Sequence, residues 1–360
     1  MKKGKIRSLI IAVVLIVTLY YFLPLVVQQL PSFWTEKRLK LGLDLQGGSQ
    51  IQLEVDFTGL ELTQKEREDA VKTALEIIRN RIDQFGVSEP SIQRVGNTNR
   101  IAIQLPGLRD AGRAKELIGK TALLEFKLLA DSDQIQETYQ VLDKYLDENV
   151  DRFNYLEKFV DVEVSEVTDI LEADVEDTTA AESNRIFTKL TTSQQEYPMT
   201  IDFQNIALFK TLLKDEEFLN QIPEGLQVAV GKEDKNDIYA PRPVYVLYEK
   251  AEITGQYLEN ASVKIGQGYD PKTSGKPYIA LKFNKPGAKM FSNITGQNIK
   301  KRLAIVLDNV VYVAPVIEDK IPNGEARITG NFTIEESNDL VIVLNAGNLP
   351  APVSVIEERT

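Results

Sequence analysis

The 360-residue sequence has no cysteine and no histidine. That double absence removes disulfide frameworks, thiolate or imidazole metal sites, and every nucleophile or base built on Cys or His. Carboxylates, Lys, Tyr and Ser are the only side chains left for catalysis. A surplus of positive charge is also lacking, since the formal net charge is -11. Nucleic-acid affinity rests on Lys and Arg displacing counterions, so no nucleic-acid partner is expected. The deficit is local: residues 131–190 hold 17 acidic against 5 basic residues, and the remainder is nearly neutral. Such a block is either a solvated face or an electrostatic partner surface.

What is present is 43% hydrophobic and 26% charged, the profile of a folded chain with a sizeable core. Residues 8–27 carry no charge and are dense in Ile, Leu and Val. As a helix at about 1.5 Å per residue they span roughly 30 Å, the thickness of a bilayer core. Lys2, Lys3, Lys5 and Arg7 precede the run, which keeps the N-terminus in the cytoplasm and sends the residues after 30 to the far side. The run exceeds the apolar region of a signal peptide, and no Ala-x-Ala pattern follows it, so an uncleaved anchor is expected.

The remaining residues exceed what one core normally serves. Ile51, Leu53, Val55 and Phe57 alternate with polar residues as in a half-buried strand. Thr63 and Glu66 form a capping box before a helix with the apolar stripe Val71, Leu75, Ile78, Ile82, ending at Gly86. A hairpin over residues 92–105, a helix over 110–118 and an apolar strand over 123–129 complete a βαββαβ, ferredoxin-like order. A similar order recurs from residue 278, with Asp308-Asn309 as a hairpin turn, a helix over 334–345 and a last strand over 353–356. The fold class is therefore α+β: residues 1–30 as stub and membrane helix, 31–130 and 253–360 as a joint base, and 131–252 as an inserted acidic head, a separate lobe.

Chemical motifs are scarce. Gly119-Lys120-Thr121 and Gly231-Lys232 lack the spacing of a phosphate-binding loop, and no Gly-x-Ser-x-Gly elbow occurs. Asp44 is either a turn residue or one half of an acid-base pair whose partner is unnamed. No enzyme, cofactor or metal is expected. In the middle segment, Phe209 and Leu212 on an amphipathic stretch and Tyr245 and Tyr248 on a run apolar on both faces form either the head's core or a groove for an extended apolar polypeptide.

Three segments carry a family resemblance. Leu41-Gly42-Leu43-Asp44-Leu45-Gln46-Gly47-Gly48, Arg81-Ile82-Asp83-Gln84-Phe85-Gly86 with Arg100 to Gly107, and Asn345-Ala346-Gly347-Asn348-Leu349-Pro350-Ala351-Pro352 together resemble the SecD family of the bacterial Sec machinery. The resemblance marks Asp44, Gly47, Gly48, Arg81, Gly86, Pro350 and Pro352 as motif residues. It implies a transporter of the resistance-nodulation-division superfamily in the cytoplasmic membrane, with SecF (fused or separate), the SecYEG channel and unfolded preprotein as partners. It further implies proton-driven assistance to export, with the proton-carrying residues in membrane helices beyond Thr360. The alternatives are a substrate-binding domain of another transporter in that superfamily and an anchored carboxylate enzyme.

Overall fold

The structure is a computed structural model that describes residues 11–16, 18, 47–87, 90–108, 110–159, 185–192, 199–234, 237–267 and 274–359. Residues 11–16 are helical, and no helix among the described residues is long and apolar enough to cross a membrane. Most of the expected span over 8–27 lies outside the described residues.

The base follows from its alternation. In β1 (Gly48–Val55) Ile51, Leu53 and Val55 are buried while the intervening side chains face away. The helix α1 (Gln64–Phe85) opens on the expected Thr63–Glu66 capping box and stops at Gly86, whose φ of 86° is the left-handed cap that glycine adopts without cost. It lays Val71, Ala74, Ile78 and Ile82 on the sheet. The hairpin of β2 (Ser91–Arg94) and β3 (Arg100–Pro106) pairs with β1, and α2 (Ala111–Gly119) packs beside α1.

The fourth strand of this sheet is not residues 123–129, as the βαββαβ reading expected. It is β15 (Val353–Arg359), and the order is β15-β1-β3-β2. The reason lies in the two sequences. β15 is exposed along nearly its whole length and suits the edge of a sheet with one wet face. β4 (Leu124–Leu128) has Phe126, Lys127 and Leu128 all buried, so it needs cover on both faces.

β4 finds that cover in a ring of strands. In chain order come α3 (Ser132–Glu148), a 3-10 segment (Val150–Phe159), α4 (Ile186–Leu190), β5 (Thr191–Thr192), β6 (Met199–Ile201), α5 (Phe203–Leu212), α6 (Glu216–Leu219), β7 (Leu226–Gly231) and β8 (Arg242–Tyr248). After β9 (Ile253–Thr254), β10 (Leu258–Ile265), β11 (Pro277–Phe283) and α7 (Lys285–Gln297) come β12 (Leu303–Leu307), β13 (Val310–Val313), β14 (Glu325–Ile328) and α8 (Ile334–Ala346). The largest sheet runs β5-β6-β8-β7-β13-β12-β4-β9. It closes on itself, because Leu129 bridges Leu247 and the Ala130 N–H donates to the Val246 carbonyl at 3.0 Å. Strands β8, β7, β13, β12 and β4 thus form a small barrel. Its interior holds Leu129, Ala229, Tyr245, Leu247, Ala304, Val306, Val311 and Ala314, where three alanines make room for the tyrosine ring. The β12–β13 turn is the expected Asp308-Asn309, with φ of 51° and 63°.

Two further cores flank the barrel. Outside β7 and β8, Val228, Val230, Val244 and Val246 meet α3, α4, α5 and α6 around Phe187, Phe209 and Phe218. Outside β4 and β12, Phe126 packs edge-on to Phe283 and Phe291 beneath the sheet β10-β11-β14. α8 touches both β10 and α1, joining this side to the base. Residues 131–252 are consequently not a separate lobe. They contribute β7 and β8 to a barrel whose other strands come from residues 124–128 and 303–313, and β7 runs parallel to β13 through Val230 and Gly231.

Candidate functional site

The expected groove residues are divided between interiors. Phe209 and Leu212 have no exposed surface and belong to the core outside β7 and β8, with the Phe209 ring 5.6 Å from that of Phe187. Tyr245 points the other way along β8, into the barrel, where burial pushes its phenol up. Tyr248 is half-buried, and its hydroxyl donates to Gln134 Oε1 at 2.8 Å. An apolar strand beside an amphipathic helix has here made a core, and these four side chains form no continuous open face.

The open surface lies nearby, in a cleft of about 1140 Å³ between the base, the barrel and α8. Its floor is β7. One wall is formed by the C-terminal ends of α5 and α6 and the turns that follow them, carrying Leu213, Leu219 and Ile222. The facing wall carries Glu116 of α2, Lys120 just after it, Tyr312 after the barrel turn, and Phe332 and Leu340. At one end Lys232 sits 3.9 Å from the Phe332 ring centroid and 3.9 Å from Glu336 Oε2, a cation held by both a ring face and a carboxylate. Burial, helped by the charges of Asp308, Glu116 and Glu336, pushes the Tyr312 phenol up to about 12. The amphipathic stretch through Phe209 and Leu212 marked the sequence beside this wall as a groove candidate. Nothing in the sequence patterning signalled Glu116, Tyr312 or Leu340, which reach the cleft through long-range packing.

A second cleft, about 1280 Å³, runs beside α3 and is lined by Asp131, Asp143, Asp147 and Glu148 opposite Lys300 and Lys301. It contains part of the acidic block. The Asp143 carboxyl, pushed up by burial, accepts hydrogen bonds from the Thr188 N–H and hydroxyl, so it anchors α4 to α3. Among the described residues no group of three or more acidic side chains is placed to hold a metal ion.

Two of the sequence motifs meet. Asp44 lies outside the described residues. Gly47 and Gly48 have φ of 68° and 138°, conformations open to glycine, and the Gly47 carbonyl accepts from the Gly107 N–H at 2.9 Å. Arg81 is 1% exposed; its Nη1 donates to the carbonyls of Leu117 at 3.0 Å, Ile118 at 3.2 Å and Lys120, and its Nη2 to Gly347 at 3.0 Å. One guanidinium therefore caps the C-terminal ends of α2 and α8 together. Burial lowers its pKa to about 10, with the Asp308 charge acting in the opposite direction. Pro350 and Pro352 flank buried Ala351 and lead into β15, and the Pro352 carbonyl accepts from the Asp56 N–H at 2.8 Å.

Comparison with known proteins gives this arrangement a family. Three family models match: the SecD/SecF GG motif over residues 33–58, the N-terminal part of the SecDF P1 domain over 71–131, and the SecDF P1 head subdomain over 229–351. The boundary expected at residue 252 falls inside the matched head. The protein translocase subunit SecD of Endomicrobium trichonymphae is 38% identical over 325 residues, 90% of this chain and 54% of the relative. That of Syntrophobacter fumaroxidans is 32% identical, covering all of this chain and 67% of the relative. A solved structure of SecDF in a super-membrane-facing form is 27% identical with a TM-score of 0.52, covering all of this chain and 35% of that one. The chain spans about half the length of the Endomicrobium relative. These relatives carry the names of translocase subunits and not of enzymes. From its glycine pair through the buried arginine to the closing strand, the chain belongs to the SecD family of protein translocase subunits, of which it carries the P1 region.

Proposed function

We propose that this chain is the membrane-anchored, extracytoplasmic P1 region of a Sec translocase subunit and that its cleft beside β7 receives unfolded preprotein. The cleft is the observation that carries the reading. It is open, walled on one side by Leu213, Leu219 and Ile222, and long enough along β7 for several residues of extended chain. Apolar burial and main-chain contacts read side-chain identity only loosely, which suits a factor that handles many exported sequences. Anchoring through residues 8–27 in the bacterial cytoplasmic membrane draws support from Ile11, Val13, Val14, Leu15 and Ile16, each more than half exposed in helical conformation. SecF and SecYEG are the partners this reading assigns, and proton-gradient-driven assistance to export is the activity it assigns to the whole subunit.

A photocrosslinker at Leu219, with translocation of a preprotein arrested midway in membranes, tests the reading. Crosslinks are expected at Leu219 and not at Val355, a similarly exposed position on β15. Equal labelling at both, or none, overturns it. The rival reading, a small amphiphile as ligand, expects a single-chain detergent to abolish the Leu219 crosslink at concentrations below its micelle threshold.

A further inference from the structure

One stretch of β7 has strand geometry on both sides but a neighbour on only one. The Glu249 N–H donates to the Gly225 carbonyl at 2.8 Å, which turns the backbone groups of residues 225, 227 and 229 toward β8. Those of 226, 228 and 230 face the opposite way, as the Lys232 N–H confirms by donating to the Val311 carbonyl at 2.8 Å. On that side β13 pairs only with Val230 and Gly231, because the chain reverses through Asp308-Asn309 into β12. The N–H and C=O of Val228 have no partner among the described residues, and they face the cleft.

An unpaired strand edge is a template for another strand. Here it is recessed: Leu213, Leu219 and Ile222 rise on one side and Tyr312, Phe332 and Leu340 on the other. A single extended chain can lie between those walls without a second sheet having to enter them. An incoming strand exchanges water on the Val228 N–H and C=O for a main-chain partner, and the flanking walls screen that pair from solvent, so pairing gains more here than on an unwalled edge. Alternate side chains of the incoming strand then reach the Leu213–Leu219–Ile222 wall, while the others point the opposite way.

Resting on the cleft reading above, we infer that unfolded polypeptide binds by strand addition to the edge of β7 centred on Val228, the Leu226 N–H being already held by the Pro223 carbonyl at 3.0 Å. The ligand class is an extended main chain with free N–H groups, not an apolar side chain or a helix. Two probes separate pairing from burial. The first is a fluorescent ten-residue peptide of alternating Val and Ser and its two isomers N-methylated on one or the other set of alternate residues, titrated against the full chain in nanodiscs. The second is Val228→Pro, which deletes an N–H that β8 does not use, with melting temperature as the folding control. The expected result is that one methylated isomer binds about tenfold more weakly than the parent peptide while the other binds as the parent does, and that Val228→Pro weakens the parent peptide by a similar factor. Equal binding of the parent peptide and both isomers overturns strand addition while leaving the cleft as an apolar site. Failure of the unmethylated peptide to bind at all overturns the cleft reading itself.

Discussion

At Gly47 the conformational cost of a side chain can be measured almost alone. Its φ is 68°, and a Cβ there would meet no atom within 4 Å. Gly47→Ala should therefore lose about 1–2 kcal/mol of stability from backbone strain, read by equilibrium unfolding, since its Cβ meets no neighbour. Tyr312 offers a titration. Its neutral phenol is the form the fold favours, with a pKa near 12 against 10 for the ordinary group. The stability this contributes is complete below about pH 10 and is lost as the pH rises from 10 through 12. Stability of Tyr312→Phe should fall less over that interval than stability of the parent, in unfolding curves taken at each pH. Arg81 shows what spacing alone conceals: its place in a family motif was legible, but its role as a shared cap for α2 and α8 depends on Gly347, far away in sequence.

Elements were read best where a period and a cap coincided. The Thr63 capping box, the Gly86 stop and the Asp308-Asn309 turn all sit where local chemistry put them, because each depends on residues within one turn of chain. Pairing was another matter. An apolar run marked residues 123–129 as a strand and the segment after Pro352 marked 353–356 as another, and only burial on both faces told which one belonged inside. β10 and β14 escaped notice because β10 is largely exposed and β14 has just four residues. The same limit applies to the site. Phe209 and Tyr248 satisfied both a core and a groove until their neighbours were known. Phe209→Ala should cost about 3–5 kcal/mol, as an aromatic with no exposed surface does. Peptide affinity of the folded fraction should stay within twofold of the parent, measured by titration below the melting transition.

At the scale of the molecule, the barrel makes the middle and flanking segments interdependent. Deleting residues 131–252 removes β7 and β8, two of five barrel strands, and leaves Val306, Ala304 and Val311 without their facing residues. The truncated chain should fail to give a cooperative melt for the part containing β12 and β13, whereas an independent inserted lobe would come away cleanly. The pairing of β15 with β1 has a mechanical consequence. The two are antiparallel with Gln50 opposite Arg359, while Val55 lies opposite Val353 at the far end. Tension between residues 47 and 359 acts on one end of the ladder, so hydrogen bonds open one pair at a time, as in unzipping. Tension between 56 and 359 loads every pair at once, in shear. Optical-tweezer pulling should detach β15 at lower force in the first geometry than in the second. A pull arriving along the two chain segments that enter and leave this sheet therefore meets its compliant direction, and β15 yields first while β1, β2 and β3 stay paired.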